Sequence, residues 1–174
     1  MENKEIDVVK EILAGKVFIY PTDTIYGIGC DATNESAVDR IKKIKIRDSS
    51  KSFSVIAPSF EWIESNFIVD FEIKKYLPGP YTLLLKKKDV NFLKWISVND
   101  RIGVRIPANE FTNEIQKAGV PFVTTSVNLS GEPFATTLND IRDDILEQVD
   151  YLVDGENLSG KPSTLILDGK EMVR

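Results

Sequence analysis

Short apolar runs alternate with amphipathic segments along the whole chain, and this alternation constrains the fold more than any other feature. Runs rich in β-branched and aromatic residues predict strands, and apolar residues spaced three and four apart predict helices. The pattern predicts an α/β fold with a mixed sheet. The predicted strands cover 17–20, 53–56, 81–85, 101–106, 121–125, 151–153, 164–167 and 171–173. The predicted helices cover 6–13, 34–44, 60–67, 70–77, 109–118 and 141–149.

The length of 174 residues predicts one domain over 1–174. No apolar run approaches the ~20 residues that a membrane span needs, and the charged N-terminal residues do not resemble a secretion signal. A single cysteine excludes an internal disulfide. We therefore expect a cytoplasmic protein without a membrane partner.

The chain contains no histidine, which excludes several kinds of catalytic site. Ser-His-Asp and Cys-His nucleophiles and histidine-ligated zinc are ruled out, and one cysteine cannot build a thiolate zinc site. Lysine, arginine, carboxylates, hydroxyls and backbone amides remain, a set that suits reactions on phosphates. The net charge of −5 means that any polyanion site must be local.

The stretch 20–32 follows the first predicted strand and is dense in hydroxyl groups and glycines. Ligands bind at the carboxyl end of strands in open α/β sheets, and glycine permits close approach to a ligand. A plain loop explains the same composition. A dinucleotide fingerprint is not supported, because the third glycine of that motif is missing. The residues concerned are Thr22, Thr24, Tyr26, Gly27 and Gly29.

A basic cluster lies where the second predicted helix ends. Lys45, Arg47 and Lys51 could converge on one anion, since arginine offers a fork for phosphate oxygens and lysine a point charge. A solvated helix end is the alternative. The Walker P-loop pattern is absent.

Three later features add polar groups to the ends of predicted strands. Ser126 and Asn128 follow the strand 121–125 and could present donors to a ligand or cap a turn. Arg105 ends the strand 101–106, where it could clamp a carboxylate or lie at a solvated edge. The polar loop 159–164 leads into the last predicted hairpin.

Taken together, these segments resemble the YrdC/TsaC-type L-threonylcarbamoyladenylate synthases. The stretch 21–32 resembles the family's opening P-T-[DE]-T-x-Y-G-L-G motif, and Lys45-Ile46-Arg47, Lys51 and Ser126-Val127-Asn128 are similar to its K-x-R, K and S-x-N set. Further matches, in family order, are Pro78-Gly79-Pro80-Tyr81-Thr82, Gly103-Val104-Arg105-Ile106-Pro107 and Ser163-Thr164.

The resemblance implies a YrdC-like open, twisted, mixed sheet flanked by helices, with a concave, positively lined cleft, in the family's short single-domain form. It implies the reaction L-threonine + bicarbonate + ATP → threonylcarbamoyl-AMP + pyrophosphate + water. The product serves the N6-threonylcarbamoyladenosine modification of tRNA through a downstream threonylcarbamoyl-transferase complex. Contact with tRNA would be indirect or weak, and Mg²⁺ would be carried by the ATP phosphates.

The resemblance also assigns roles to individual residues. The catalytic and ATP phosphate-binding residues would be Lys45, Arg47, Ser126 and Asn128. Lys51 and Arg174 would add contacts to ATP. The threonine-binding residues would be Thr22, Tyr26, Arg105, Thr124 and Ser163, with Arg105 facing the carboxylate. No metal-ligating residue is expected.

Two other functions are compatible with parts of the sequence. One is an RNA-binding module that uses a basic cleft for tRNA or rRNA, against which the acidic net charge counts. The other is a domain that forms a carbamoyl-adenylate from carbamoyl phosphate, as in hydrogenase-maturation proteins, where such a domain normally sits in a larger chain.

Overall fold

The computed structural model describes residues 6–46, 48, 50–156 and 158–172. Within them a mixed sheet is flanked by helices on both faces, as the sequence predicts. The strands are β1 Phe18–Pro21, β2 Tyr26–Gly29, β3 Ser54–Ile56, β4 Phe67–Ile68, β5 Tyr81–Lys87, β6 Arg101–Arg105, β7 Phe122–Ser126, β8 Tyr151–Leu152, β9 Thr164–Leu167 and β10 Lys170–Glu171. The helices are α1 Val8–Leu13, α2 Glu35–Ile44, α3 Phe60–Asn66, α4 Glu110–Ala118 and α5 Asp143–Leu146.

The described strands form one sheet in the order β10-β9-β5-β6-β3-β7-β2-β1-β8, and β4 pairs with β5. Three pairs are parallel, namely β1 with β8, β3 with β6, and β5 with β9. The neighbours of β3 are β6 and β7, which come later in the chain. Segments that are distant in the sequence therefore lie side by side at the centre of the sheet.

Apolar side chains cover both faces of the sheet, because strand residues point alternately to opposite sides. On one face α2 and α3 pack through residues such as Val38, Ile41 and Ile63. On the other face α1 and α4 contribute Ile12 and Ile115, which pack with aromatic residues of β1 and β7. The sheet is a buried layer between helices, which leaves its ends and edge loops to form a site.

Three predicted elements differ from the structure. The stretch after β1 is not a continuous turn, because its two glycines lie in β2 and only 22–25 form the connection of a β-hairpin. The predicted helix 70–77 is reduced to a 3₁₀ turn, Ile73–Lys75. The predicted helix 141–149 is reduced to α5 after a second 3₁₀ turn, Leu138–Asp140. In the last two segments helical spacing overestimated helices that are only one turn long.

No helix in the described residues combines the length and apolar character needed to cross a membrane. The longest of them, α2, has ten residues.

Gly29 allows β2 to lie close against β7. A Cβ atom built on Gly29 would overlap the Val123 carbonyl oxygen and lie 2.6 Å from the Phe122 ring. Backbone atoms of a central strand cannot rotate away, so the two strands would have to separate.

Gly29→Ala is expected to lower the free energy of unfolding by about 3 kcal/mol, the upper end of the usual cost of overpacking a core. Urea denaturation of the purified protein measures this loss. Gly27→Ala on the same strand is the comparison, since its Cβ would meet the Tyr20 ring at 3.1 Å, and a smaller loss is expected. Equal stability of Gly29→Ala and the unsubstituted protein would contradict the interpretation.

Candidate active site

A cavity of about 170 Å³ opens between the β1–β2 hairpin, the central strands and the loop before β9. It is smaller than the roughly 300–1,000 Å³ of pockets for drug-sized ligands, so it suits a ligand the size of an amino acid. Hydroxyl groups dominate its walls. The lining residues are Thr22, Thr24, Ile25, Tyr26, Gly27, Ser52, Phe53, Ser54, Thr82, Arg105, Thr124, Thr125, Ser126, Phe134, Pro162, Ser163 and Leu165.

Small polar residues on neighbouring strands form one wall of this cavity. Ser54 of β3 pairs with Gly103 of β6 on one side and with Thr124 of β7 on the other. A Cβ atom on Gly103 would overlap the Ser54 hydroxyl and lie 2.9 Å from the Thr82 methyl group. The glycine therefore keeps Ser54 and Thr82 close together and leaves no room for a larger residue between them.

The connection 22–25 of the hairpin is held by the Thr22 hydroxyl. This group accepts from the backbone N–H groups of Thr24 and Ile25 and donates to the Ile25 carbonyl at 2.8 Å. The Thr24 hydroxyl lies 2.8 Å from it, and either oxygen can be the donor of this hydrogen bond. Thr22 lines the cavity, but its hydroxyl is engaged within the turn itself.

Arg105 lies at the end of β6 and is almost fully buried. Its Nη2 donates to Asp23 Oδ1 at 2.9 Å and to the Thr24 hydroxyl at 3.2 Å. Its side chain is 8% exposed and that of Asp23 is 13% exposed. The pair is an ion pair shielded from solvent, and through it the hairpin contacts the end of β6.

Tyr26 joins β2 to the loop that follows β8. Its hydroxyl donates to Asp154 Oδ1 at 2.9 Å and accepts from the Gly155 N–H at 3.1 Å. Burial, and then the Asp154 carboxylate beside it, raise the pKa of Tyr26. The hydroxyl therefore stays protonated and acts as a hydrogen-bond donor in this wall.

Ser163, in the loop before β9, lies next to Thr82 in the wall of the cavity. Their hydroxyl groups lie 2.6 Å apart and are buried. Two backbone hydrogen bonds tie the preceding loop to the hairpin, from the Ser159 N–H to the Asp23 carbonyl at 3.4 Å and from the Gly160 N–H to the Thr24 carbonyl at 2.9 Å. The hairpin connection thus positions this wall as well.

Lys45 follows α2 and is 7% exposed. Its ammonium group donates to the carbonyl oxygens of Ser126 and Asn128, the latter at 2.6 Å. These partners are 81 and 83 residues away in the sequence. A buried positive charge therefore lies against the turn that follows β7.

The side-chain amide of Asn128 donates to backbone carbonyl groups of its own loop. Its Nδ2 donates to the carbonyl oxygens of Leu129 and Glu132 at 3.0 and 2.7 Å. Its Oδ1 is buried and has no hydrogen-bond partner among the described residues. In this conformation the side chain holds the loop 128–132 and does not present its donors outward.

A second cavity of about 490 Å³ adjoins the first, with Phe134 lining both. Six of its eleven lining residues are apolar, and the polar ones are Asn128, Glu132, Thr136, Asp140 and Arg142. Arg142 is paired with Glu132 and Asp144 at 2.7 Å each. A pocket that combines apolar walls with several polar groups is typical of sites for small organic ligands.

The predicted site residues fall into four groups. Six of them line the first cavity, namely Thr22, Tyr26, Arg105, Thr124, Ser126 and Ser163. Lys45 and Asn128 lie beside it, joined to Ser126 by the contacts above, whereas Lys51 is exposed and lines neither cavity. Arg47 and Arg174 lie outside the described residues.

The positive lining expected for the cleft is not seen in the described part of the chain. Among the described lining residues of the first cavity Arg105 carries the only charge, and Asp23 pairs with it. No cluster of three or more metal-ligating side chains occurs among the described residues.

The roles assigned from the sequence leave out several polar residues that lie at the cavity or hold it, although Thr24 was named among the hydroxyls of the stretch 20–32. Thr24, Ser54 and Thr82 line the cavity, and Asp23 pairs with Arg105. Thr24 and Asp23 belong to the opening motif 21–32, so the sequence could have identified them as site residues. Thr82 ends the quoted motif 78–82, whereas Ser54 is a single polar residue in an apolar strand; the structure shows that both lie next to Gly103.

Comparisons with known proteins give a consistent result. A family model for Sua5, YciO and YrdC proteins, described as telomere recombination, matches residues 10–173. A Methanocaldococcus jannaschii protein provisionally named a threonylcarbamoyl-AMP synthase is 41% identical over 162 residues, which cover 90% of this chain and 76% of that protein. The threonylcarbamoyl-AMP synthase of Pseudoalteromonas atlantica is 34% identical over 162 residues, which cover 88% of this chain and 85% of that protein.

A solved structure of Pyrococcus abyssi Sua5 in complex with L-threonine is similar to this chain with a TM-score of 0.80 and 29% identity. The match covers 93% of this chain and 50% of the Sua5 chain. The chain thus spans half the length of that protein.

Proposed function

The chain belongs to the Sua5/YciO/YrdC family, and from this we propose that it is a threonylcarbamoyl-AMP synthase. The reaction is L-threonine + bicarbonate + ATP → threonylcarbamoyl-AMP + pyrophosphate + water. Relatives with 41% and 34% identity carry the name of this enzyme.

One observation of the structure carries the proposal. Residues from the hairpin, five other strands and the loop before β9 meet in one small cavity lined with hydroxyl groups and a buried arginine. Hydroxyls can bind the side chain and amine of threonine, and an arginine can bind its carboxylate. The candidates are Thr22, Tyr26, Arg105, Thr124 and Ser163, as the family resemblance implies.

The reaction needs two bond-forming steps. The threonine amine attacks the bicarbonate carbon, a C–N bond forms, and water leaves to give a carbamate. A carbamate oxygen then attacks the α-phosphorus of ATP, and the bond from that phosphorus to the bridging oxygen breaks, so that pyrophosphate leaves. The protein supplies no nucleophile; it holds two anionic reactants together and offsets their repulsion with positive charge.

We assign the ATP side of the site to the neighbourhood of Lys45 and the turn 126–128. Arg47, Lys51 and Arg174 complete the phosphate-binding set in this proposal. The second cavity adjoins the first and has Asn128 in its wall, so it is a suitable place for the nucleotide base. Mg²⁺ would arrive with the ATP phosphates.

In this proposal the product passes to a threonylcarbamoyl-transferase complex that modifies tRNA, and the protein itself touches tRNA weakly or not at all. We place it in the cytoplasm, where ATP and tRNA are available.

The test is pyrophosphate release from ATP by the purified protein, with threonine and bicarbonate omitted in turn. Release is expected to require both, and mass spectrometry is expected to find threonylcarbamoyl-AMP. Release that needs neither compound would refute the proposal.

Two further assays test the two alternative functions. Release that needs carbamoyl phosphate in place of threonine and bicarbonate would identify a carbamoyl-adenylate-forming domain. Binding of tRNA that weakens steeply with salt, without turnover of ATP, would identify an RNA-binding module.

A further inference from the structure

We propose that Asp23 is a positioning residue that orients Arg105 for the carboxylate of the amino-acid substrate. The inference rests on the proposed function, in which Arg105 binds that carboxylate. Asp23 does not line the cavity, so it acts through the arginine.

The carboxylate of Asp23 is held from both of its oxygens. Oδ1 accepts from Arg105 Nη2 at 2.9 Å, and Oδ2 accepts from the Ala108 N–H at 3.0 Å. Ala108 lies just beyond the end of β6, on the same segment as the arginine. The two contacts fix the carboxylate relative to the strand that carries Arg105, so it can define the direction of the guanidinium.

The Thr24 hydroxyl supports this orientation. It accepts from the same Nη2 at 3.2 Å and lies at hydrogen-bond distance, 2.8 Å, from the Thr22 hydroxyl. The Thr22 hydroxyl also contacts the Ile25 carbonyl at 2.8 Å, so the Thr24 side chain is tied to the turn. One nitrogen of the guanidinium is therefore fixed by two residues of the hairpin connection.

Fixing an arginine in advance matters because a long flexible side chain loses conformational freedom when it binds a ligand. Without the Asp23 contact this ordering would have to occur when the substrate binds, and its cost would appear as a loss of affinity of about tenfold. We expect this loss to fall on the part of the substrate that Arg105 contacts.

The decisive variant is Asp23→Asn. It removes the charge and leaves one amide oxygen for two donors, so that only one of the two contacts can persist. The backbone carbonyl of residue 23, which accepts from Ser159, is unchanged. The substitution therefore tests the carboxylate and not the attachment of the neighbouring loop.

The experiment measures by calorimetry the binding of L-threonine, of L-threoninol, which lacks the carboxylate, and of ATP. Asp23→Asn is expected to raise the Kd of threonine about tenfold or more. The Kd values of threoninol and ATP are expected to change less than about twofold, since neither compound presents a carboxylate to Arg105. In steady-state assays the KM for threonine is expected to rise while the KM for ATP stays constant.

Glu114→Gln is the matched control. It makes the same chemical change in an ion pair of 2.6 Å with Lys117 on α4, outside both cavities. All three Kd values are expected to stay at those of the unsubstituted protein.

The outcomes separate the inference from the function. An unchanged threonine Kd, or an equal loss for threonine and threoninol, would overturn the role of Asp23. If Asp23→Asn does not fold, Asp23→Ser removes the charge with a smaller side chain. An unchanged preference for threonine over threoninol in that variant would then overturn the inference. Failure of the unsubstituted protein to bind threonine would overturn the proposed function, and the inference with it.

Discussion

Replacing Lys45 with alanine is expected to lower turnover by about 10²–10³-fold, the usual cost of losing one preorganised donor that stabilises developing charge. Its ammonium group is buried and donates to the carbonyl oxygens of Ser126 and Asn128. The substitution removes the positive charge on the proposed ATP side of the site. It also releases the turn that follows β7 from α2.

The measurement is kcat for pyrophosphate release at saturating ATP, threonine and bicarbonate. Lys43→Ala is the control, because Lys43 is an exposed lysine near the end of the same helix, and its kcat is expected to stay within about twofold. Lys45→Arg separates charge from geometry, since it keeps the charge in a larger and planar group. A folded Lys45→Ala protein with full turnover would remove Lys45 from the phosphate-binding set.

Arg105→Ala is expected to have the largest effect on both stability and threonine binding. Breaking a buried ion pair from one side costs about 3–5 kcal/mol, because the partner charge is left buried without compensation. Here that partner is Asp23, whose side chain is 13% exposed. Threonine binding is expected to fall below detection, since the proposed contact with the carboxylate is lost.

Chemical denaturation and calorimetry measure the two effects separately. Arg101→Ala is the control on the same strand. Arg101 pairs with Asp168 at 3.2 Å, and the two side chains are 35% and 59% exposed. Exposed pairs contribute about 0–1 kcal/mol, so a small loss is expected there. Arg105→Lys tests the site in a more stable protein, and it is expected to raise the KM for threonine because lysine lacks the fork of an arginine. Threonine binding by Arg105→Ala at the normal affinity would rule out the assigned contact.

Local patterns in the sequence predicted most of the elements. The N-cap at Asn34, whose side chain accepts from the Ala37 N–H, and the hairpin turn at Asp168-Gly169, with φ of 50° and 74°, follow from rules that involve only neighbouring residues. The same rules missed β2, because glycine and hydroxyl residues are typical of turns. In the structure the close approach of β7 requires a glycine within that strand.

The candidate site was predicted in part, and the residues show why. The family motifs identified Thr22, Tyr26, Arg105 and Ser163, which share a cavity. The motifs contain no information on partners, however, so neither the pairing of Arg105 with Asp23 nor the use of the Thr22 hydroxyl within its own turn could be predicted.

By itself the sequence determined the fold class, the family and the identity of six residues that line the cavity, because these depend on local pattern and on motifs in a fixed order. Only the tertiary structure decided which groups meet. Arg105 and Asp23 are 82 residues apart, and Lys45 and Ser126 are 81 residues apart. The register of the central strands and the packing of α2 bring these pairs together. That arrangement follows from the burial of both sheet faces along the whole chain, which no single segment encodes.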